Sequence, residues 1–190
     1  MPFLYQGQEI GAIDQDFTAV TDLRDVESLN RYSELRESGL DVQAALAAVL
    51  PGARDHARVP MRWEPGPTTG FTSGEPWQAG CESSHGFTVA EQTGDPDSVL
   101  EFHRALIRLR RTEPALTGGG FEVLAPRASN WFGWTRTDAA GRDRWLVEVN
   151  LTDRAIHRPR GVPEGTMVLG TDEGHGARLG PYAARVVRLD

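Results

Sequence analysis

Cysteine is nearly absent from this chain. Cys81 is the only one in 190 residues. No intramolecular disulfide can form, and no zinc site of the multi-cysteine kind. Long apolar runs are missing too. The longest, Ala44 to Leu50, is Ala-rich and falls well short of the roughly 18–20 residues that cross a bilayer, so no membrane span is expected. Basic charge is outweighed by acidic: 20 Lys and Arg against 27 Asp and Glu, a formal net charge of -7. Such a surface repels phosphate backbones, which excludes nucleic acid as an expected partner. There is no G-x-S-x-G elbow, no P-loop and no G-x-G-x-x-G. No internal repeat or low-complexity tract appears. No basic, apolar signal segment follows Met1, and with the single cysteine this makes the cytoplasm the expected compartment.

What is present reads as a globular α+β chain. Hydrophobic residues make up 39% and charged residues 25%, too apolar for disorder. Pro2 to Tyr5 reads as a buried strand that ends at a Gln/Gly cluster. Asp25 suits an N-cap, with Val26, Leu29 and Leu35 on one helical face and Gly39 as the stop. Asp41 caps a second helix carrying Val42, Leu46, Val49 and Leu50, stopped by Pro51-Gly52. Residues 53–94 have no sustained period and read as a long loop, which Trp63, Phe71, Trp77 and Phe87 keep from looking disordered. Asp95-Pro96 opens the clearest helix. Its apolar stripe includes Val99, Phe102, Leu106 and Leu109, and its last turn carries Arg110 and Arg111, which suit the helix dipole.

The texture changes after Gly118-Gly119-Gly120, which reads as a linker. Short β-type runs follow at 121–124, 131–137, 144–150, 156–158, 167–170 and 182–189. Asp138 to Asp143 (DAAGRD) is a hairpin turn. This spacing predicts a small antiparallel sandwich. The expected boundary divides 1–117 from 118–190.

The densest polar stretch is Arg54-Asp55-His56-Ala57-Arg58, continuing to Arg62-Trp63-Glu64. Two arginines four apart beside an aromatic can make forked hydrogen bonds to carboxylates or sugar hydroxyls; structural Arg–Asp pairing is the plainer alternative. His56, His85, His103, His157 and His175 are spread singly, without metal spacing. Asp14, Asp16, Asp22 and Asp25 show no ordered calcium loop. No metal and no cofactor are expected. The run Trp131-Phe132-Gly133-Trp134 fits a sugar-stacking platform, or more simply the core and edge of the sandwich. Cys81 lacks a basic helix terminus beside it and is given no nucleophilic role.

Four stretches, in order, resemble the α-glucosidase and oligo-1,6-glucosidase branch of the α-amylase superfamily (glycoside hydrolase family 13). They are Met1 to Gly11 (MPFLYQGQEIG), Asp22 to Asn30 (DLRDVESLN), Arg54 to Glu64 (RDHARVPMRWE, continuing through Gly70-Phe71-Thr72 and Pro76-Trp77), and Asp95 to Arg111. Residues 121–190 look like that family's carboxy-terminal β domain. The resemblance implies the last strand and helices of a (β/α)8 barrel followed by a C-terminal antiparallel β-sandwich. It implies retaining hydrolysis of α-glucosidic bonds with two carboxylates and an α-linked gluco-oligosaccharide as ligand. The family's catalytic carboxylates follow strands four, five and seven, and nothing in this chain matches their motifs. No catalytic residue is therefore assigned.

Arg54 matches an arginine of the sugar pocket that pairs with an upstream Asp, and Arg58 is a second substrate-binding candidate. Tyr5, Gln8 and Glu9 support the strand end. Arg62 stands where the family usually has Gln, and Val59 where it has Thr. Trehalose-forming relatives share parts of this loop, so the sub-branch stays open.

One strand cannot close a barrel. The expectation is an inactive isolated chain with exposed apolar surface between residues 1 and 116. Three accounts fit: a gene fragment, one half of a split enzyme whose other polypeptide carries the missing barrel, or a non-catalytic carbohydrate-binding or structural module.

Overall fold

The computed structural model describes residues 2–78, 86–172 and 176–190; Cys81, His85 and His175 lie outside them. The chain divides into two compact units, Met1–Glu101 and Phe102–Asp190.

In the first unit, helices α1 (Val26–Glu37) and α2 (Val42–Val49) pack as a hairpin. Asp41 caps α2 as expected, its carboxylate accepting from the Ala44 amide at 2.8 Å. Gly39 ends α1 with a positive φ of 98°. Phe17, Leu23, Leu46, Val49 and Ala53 form the core here, with Leu29, Tyr32 and Leu35 packed on it. A short helix α3 (Val89–Gln92) sits within the stretch expected to be loop. Thr88 caps it through the Glu91 amide. The loop segment at 62–63 joins it, with the Val89 and Ala90 amides donating to the Arg62 and Trp63 carbonyls, each at 2.9 Å. Gln92 is the polar centre of this region. Its amide nitrogen donates to the Ile10 and Gly86 carbonyls, and its oxygen accepts from the Leu100 amide. A buried amide with every group served adds specificity at little cost.

Two local expectations change. Helix α4 runs Val99–Thr112, not from Asp95. The Asp95 carboxylate instead accepts from the Asp97 amide in a tight turn, and the Ser98 hydroxyl accepts from the Glu101 amide, which makes Ser98 the cap. The strand expected at residues 2–5 has no ladder partner among the described residues. Phe3 is 87% exposed, and Leu4 and Tyr5 are also exposed. A strand exists only through its neighbours' hydrogen bonds, and none are offered here. Ile13, Trp63, Phe71 and Trp77 are exposed in the same unit, in keeping with the expected apolar surface.

The second unit is a sheet with two covered faces. Strands β1 (Gly120–Leu124), β2 (Trp131–Thr137), β3 (Arg144–Asn150), β5 (Gly165–Gly170) and β7 (Ala184–Leu189) form an antiparallel sheet in the order β1-β2-β3-β7-β5. The expected DAAGRD turn joins β2 to β3. There Asp138 Oδ1 accepts from the Arg142 and Asp143 amides, and these backbone bonds hold its carboxyl below the usual range. Trp145 and Val186, with Val147 and Leu169 beside them, point to one face. They pack on Leu106 and Leu109 of α4 and on Ala115 and Leu116 of α5 (Pro114–Gly118). Leu146, Val187 and Leu189 point to the other. There Trp131 joins Ile156, Leu179 and Ala183, of which Ile156 and Leu179 belong to the two-stranded pair β4 (Ile156–His157) and β6 (Arg178–Leu179).

Side-chain alternation thus makes both layers from one pattern. It also splits the aromatic run: Trp131 is core, while Phe132 is exposed on the opposite face, with Trp134 beside it.

Gly119 is not a slack linker. A Cβ there would lie 2.5 Å from the Ala115 carbonyl oxygen and 2.6 Å from that of Thr137, so the chain can pass only as glycine. Gly133 serves the same end, because the Trp131 ring lies over its backbone.

The Leu146 side chain has no exposed surface. Leu146→Ala is expected to destabilise the β unit by about 2–5 kcal/mol, read from denaturant unfolding followed by tryptophan fluorescence. A loss below about 1 kcal/mol would mean that this face is not the close-packed interior described.

Candidate functional site

Arg54–Arg58 forms a short 3-10 helix. Its tight turn puts residues three apart on one side, so Asp55 and Arg58 meet. Asp55 is completely buried. One carboxylate oxygen accepts from the Arg24 and Asp25 amides at 2.7 and 2.8 Å. The other takes Arg58 Nη2 at 2.8 Å. A buried carboxylate survives only when its lone pairs are served in this way.

By fixing the Arg24–Asp25 backbone, Asp55 also positions the Asp25 side chain. Asp25 sits at the N-cap of α1, but its carboxylate makes no cap bond to the helix backbone. It accepts from the Ser28 hydroxyl at 2.8 Å and, on its other oxygen, from Arg54 Nε at 3.0 Å and Nη2 at 2.6 Å. The Arg54 fork is the main reason the Asp25 carboxyl titrates well below the usual carboxylate range; burial opposes it, and the Ser28 hydroxyl assists. Asp25 in turn raises the Arg54 guanidinium. A carboxylate held ionised in this way cannot donate a proton, so Asp25 orients a guanidinium and does not act as a general acid.

Both substrate-binding candidates are therefore brought together on one scaffold. The Arg54 side chain is 61% exposed and that of Arg58 39% exposed, so each keeps donors for a ligand. Arg58 lies over the Trp77 ring, 5.8 Å from its centroid. Trp77 is exposed and offers a flat apolar face beside the guanidinium pair. Guanidinium donors next to an aromatic face suit a polyhydroxylated, ring-shaped ligand. The sequence pattern identified Arg54 and Arg58 but missed the roles of Asp25 and Asp55. Asp25 looked like a helix cap, and only tertiary contact separates the two uses of a short carboxylate. The R-D-x-x-R spacing was the one available signal for Asp55.

His56 and Asp22, also flagged, have structural roles. His56 accepts from the Gln15 amide at Nδ1 (3.0 Å) and meets the Leu50 carbonyl at Nε2 (3.0 Å), so both ring nitrogens are engaged within the fold. The Asp22 carboxylate accepts from the Thr18 and Ala19 amides. Among the described residues no group of three or more His, Cys, Asp and Glu side chains could hold a metal ion. No helix among them is long and apolar enough to cross a membrane. In the second unit, Glu148 takes Arg158 Nε at 2.9 Å and the Trp131 indole N–H at 3.2 Å. Asp172 takes Arg185, which keeps the Asp172 carboxyl low. These are interior pairs that serve one another.

Residues 1–119 match the family model of the α-amylase catalytic domain. The chain belongs to the α-amylase family. It is 42% identical over 127 residues to the trehalose-6-phosphate hydrolase of Escherichia coli, covering 67% of this chain and 23% of that protein. It is 31% identical over 193 residues to the oligo-1,6-glucosidase of Heyndrickxia coagulans, covering 100% of this chain and 34% of that one. Among solved structures, trehalose-6-phosphate hydrolase from Bacillus licheniformis superposes with a TM-score of 0.87 at 26% identity, over 99% of this chain and 36% of that one. Trehalulose synthase from Pseudomonas mesoacidophila gives 0.85 at 27%, over 100% and 35%. The chain thus spans between 23% and 34% of the length of these curated relatives. Its fold is that of the end of a (β/α)8 barrel enzyme with the antiparallel β unit that follows.

Two outcomes follow from the ion-pair geometry. Asp55→Ala is expected to cost about 2–4 kcal/mol of the first unit's stability, since it leaves the Arg24 and Asp25 amides without their acceptor; urea unfolding measures it, and a loss under about 1 kcal/mol would remove Asp55 from this role. Asp25 has a depressed folded-state pKa, so its contribution is fully present above the unfolded carboxylate value of about 3.9 and is lost as pH falls below it. The melting-temperature gap between wild type and Asp25→Asn should therefore be wide at neutral pH and close in acid.

Proposed function

We propose that this chain is the carboxy-terminal part of a retaining α-glucosidase that acts on α-glucosidic bonds of oligosaccharides. Residues 1–117 would close its catalytic barrel and 118–190 would form its β-sandwich domain. Arg54 and Arg58 bind the sugar, and the catalytic carboxylates belong to a barrel polypeptide outside this chain. The compartment proposed is the cytoplasm, on the near absence of cysteine.

The observation that carries this proposal is the Arg54 fork held on Asp25, exposed, with Arg58 and Trp77 beside it. A bare surface arginine spends entropy on ordering when it binds. One already locked by a carboxylate presents its remaining donors in a fixed direction, and neutral hydroxyls are then recognised by geometry. The match of residues 1–119 to a catalytic-domain model supports the proposed boundary. The glucosidase relatives support the substrate class.

The test is hydrolysis of an aryl α-glucoside by the purified 190-residue chain, alone and mixed with the polypeptide encoded immediately upstream of Met1. The expected result is silence alone and turnover in the mixture, with Arg54→Ala lowering kcat/KM about ten- to a hundredfold. Turnover by the chain alone would overturn the assignment of the carboxylates. Silence in both, together with saturable binding of an oligosaccharide, would leave a non-catalytic binding module.

A further inference from the structure

Glu148 is a buried carboxylate of the second unit, with 1% of its surface exposed. It accepts from Arg158 Nε at 2.9 Å and from the Trp131 indole N–H at 3.2 Å, and both bonds fall on Oε2. Oε1 accepts from no donor among the described residues, yet it is not sealed inside the protein. Arg158 is divided in the same way. Its Nε serves Glu148 and its Nη2 donates to the Pro163 carbonyl at 2.8 Å. Its Nη1 has no acceptor among the described residues and keeps access to solvent. Both residues line one half-open cavity of about 180 Å³. A carboxylate oxygen left open on such a cavity calls for a donor inside it.

The rest of the lining narrows the choice. Arg185 gives its donors to Asp172 and to the Gly176 and Arg178 carbonyls. Its charge is balanced by Asp172, and that of Arg158 by Glu148. Glu164 lines the same cavity and is exposed. An anion would meet the carboxylates of Glu148 and Glu164, and an ammonium ion would meet the Arg158 guanidinium. A neutral hydroxyl compound avoids both repulsions, because each hydroxyl can donate to Glu148 or accept from Arg158. Met167 and Val187 add an apolar wall that suits the C–H face of a ring. The volume equals that of about six waters at roughly 30 Å³ each, which is room for one six-membered ring and not for two.

We propose that this cavity binds one pyranose ring of a neutral sugar. Glu148 Oε1 accepts from one ring hydroxyl and Arg158 Nη1 donates to another. Nη1 and Nε diverge on a guanidinium, so the free donor and the free acceptor stand apart. Hydroxyls on different ring carbons serve them separately, which a single small alcohol cannot do. The site lies within the second unit. It is separate from the Arg54–Arg58 pair and does not depend on the glucosidase proposal.

The test is NMR titration of the ¹⁵N-labelled 190-residue chain with glucose, maltotriose, glycerol, acetate and methylammonium. The Trp131 indole N–H, bonded to Glu148, reports beside the cavity, as do the Gly165 and Met167 amides in its wall. Glucose should shift these signals saturably, one ring per chain, with glycerol about fivefold weaker or more and both ions without saturable effect. Maltotriose binding as tightly as glucose identifies a chain end as the ligand; weaker binding identifies the free sugar. In Glu148→Gln the amide oxygen can keep the Arg158 and Trp131 donors, which turns an N–H toward the cavity, and glucose binding should weaken about tenfold or more. No saturable shift at these signals with glucose or maltotriose would overturn the proposal, with water as the occupant. So would acetate or methylammonium binding as tightly as glucose, or equal affinity in Glu148→Gln. If that variant does not fold, Met167→Ala, at a half-buried position, should weaken binding about two- to fivefold, and unchanged affinity there overturns the proposal alone. Shifts confined to the surroundings of Arg54 and Arg58 would remove this site and leave the glucosidase proposal standing.

Discussion

A carboxylate with no exposure to water must find its hydrogen bonds inside the protein, and Asp55 finds them on the backbone of a distant segment. Its contacts with the Arg24 and Asp25 amides tie the loop after α2 to the start of α1. Everything at the candidate site follows from that tie. It sets the turn from which α1 departs. It aims the Asp25 carboxylate at Arg54 and anchors Arg58 against the Trp77 ring. The exposed guanidinium groups owe their placement to a buried group that no ligand touches. This division suits recognition, because the costly buried pairing is settled within the fold and the exposed donors remain for a ligand.

The two compact units meet the problem of polar burial in different ways. The first relies on a connected set around Asp55, with Gln92 serving three segments at once. The second has an ordinary sheet interior, into which two arginines are admitted only with their carboxylates: Arg158 with Glu148 and Arg185 with Asp172. All 20 basic residues of the chain are arginine. Arginine's planar fork makes such interior pairing geometrically specific where a lysine would be a point charge.

Much of the fold was legible because it rests on local physics. The Asp41 cap, the Gly39 stop and the DAAGRD hairpin each depend on residues within a turn of one another. The pairing of β2 with β3 follows from two short β-type runs joined by that turn. Other elements were not legible for equally local reasons. Ser98 outcompetes Asp95 as a cap because Asp95 is engaged by the Asp97 amide, and one carboxylate looks like another in a sequence. The run at 156–158 marked β4, but its partner β6 is too short for periodicity to register. Residues 2–5 carry strand chemistry, but a strand is a relation between chains and cannot be read from one of them. Gly119 resembles a spacer until the Ala115 and Thr137 carbonyls are seen on either side of it. At the site, the R-D-x-x-R pattern gave the arginines. The carboxylate that orients Arg54 came only from a contact between positions 25 and 54, whereas Asp55 lies within the same short helix as Arg58.

Asp55 recognises main chain, and this shapes how the gene can drift. A peptide N–H is the same at almost every codon, so position 24 can change its side chain without disturbing the bond it donates; only proline removes it. Position 55 has no such freedom. Glutamate is a methylene too long for the same turn, and asparagine turns an amine toward the Arg58 guanidinium. Nor can a second mutation repair the loss, because the backbone offers nothing to mutate. Selection on these two backbone bonds is therefore one-sided: neutral to the side chain at position 24 and unforgiving at position 55.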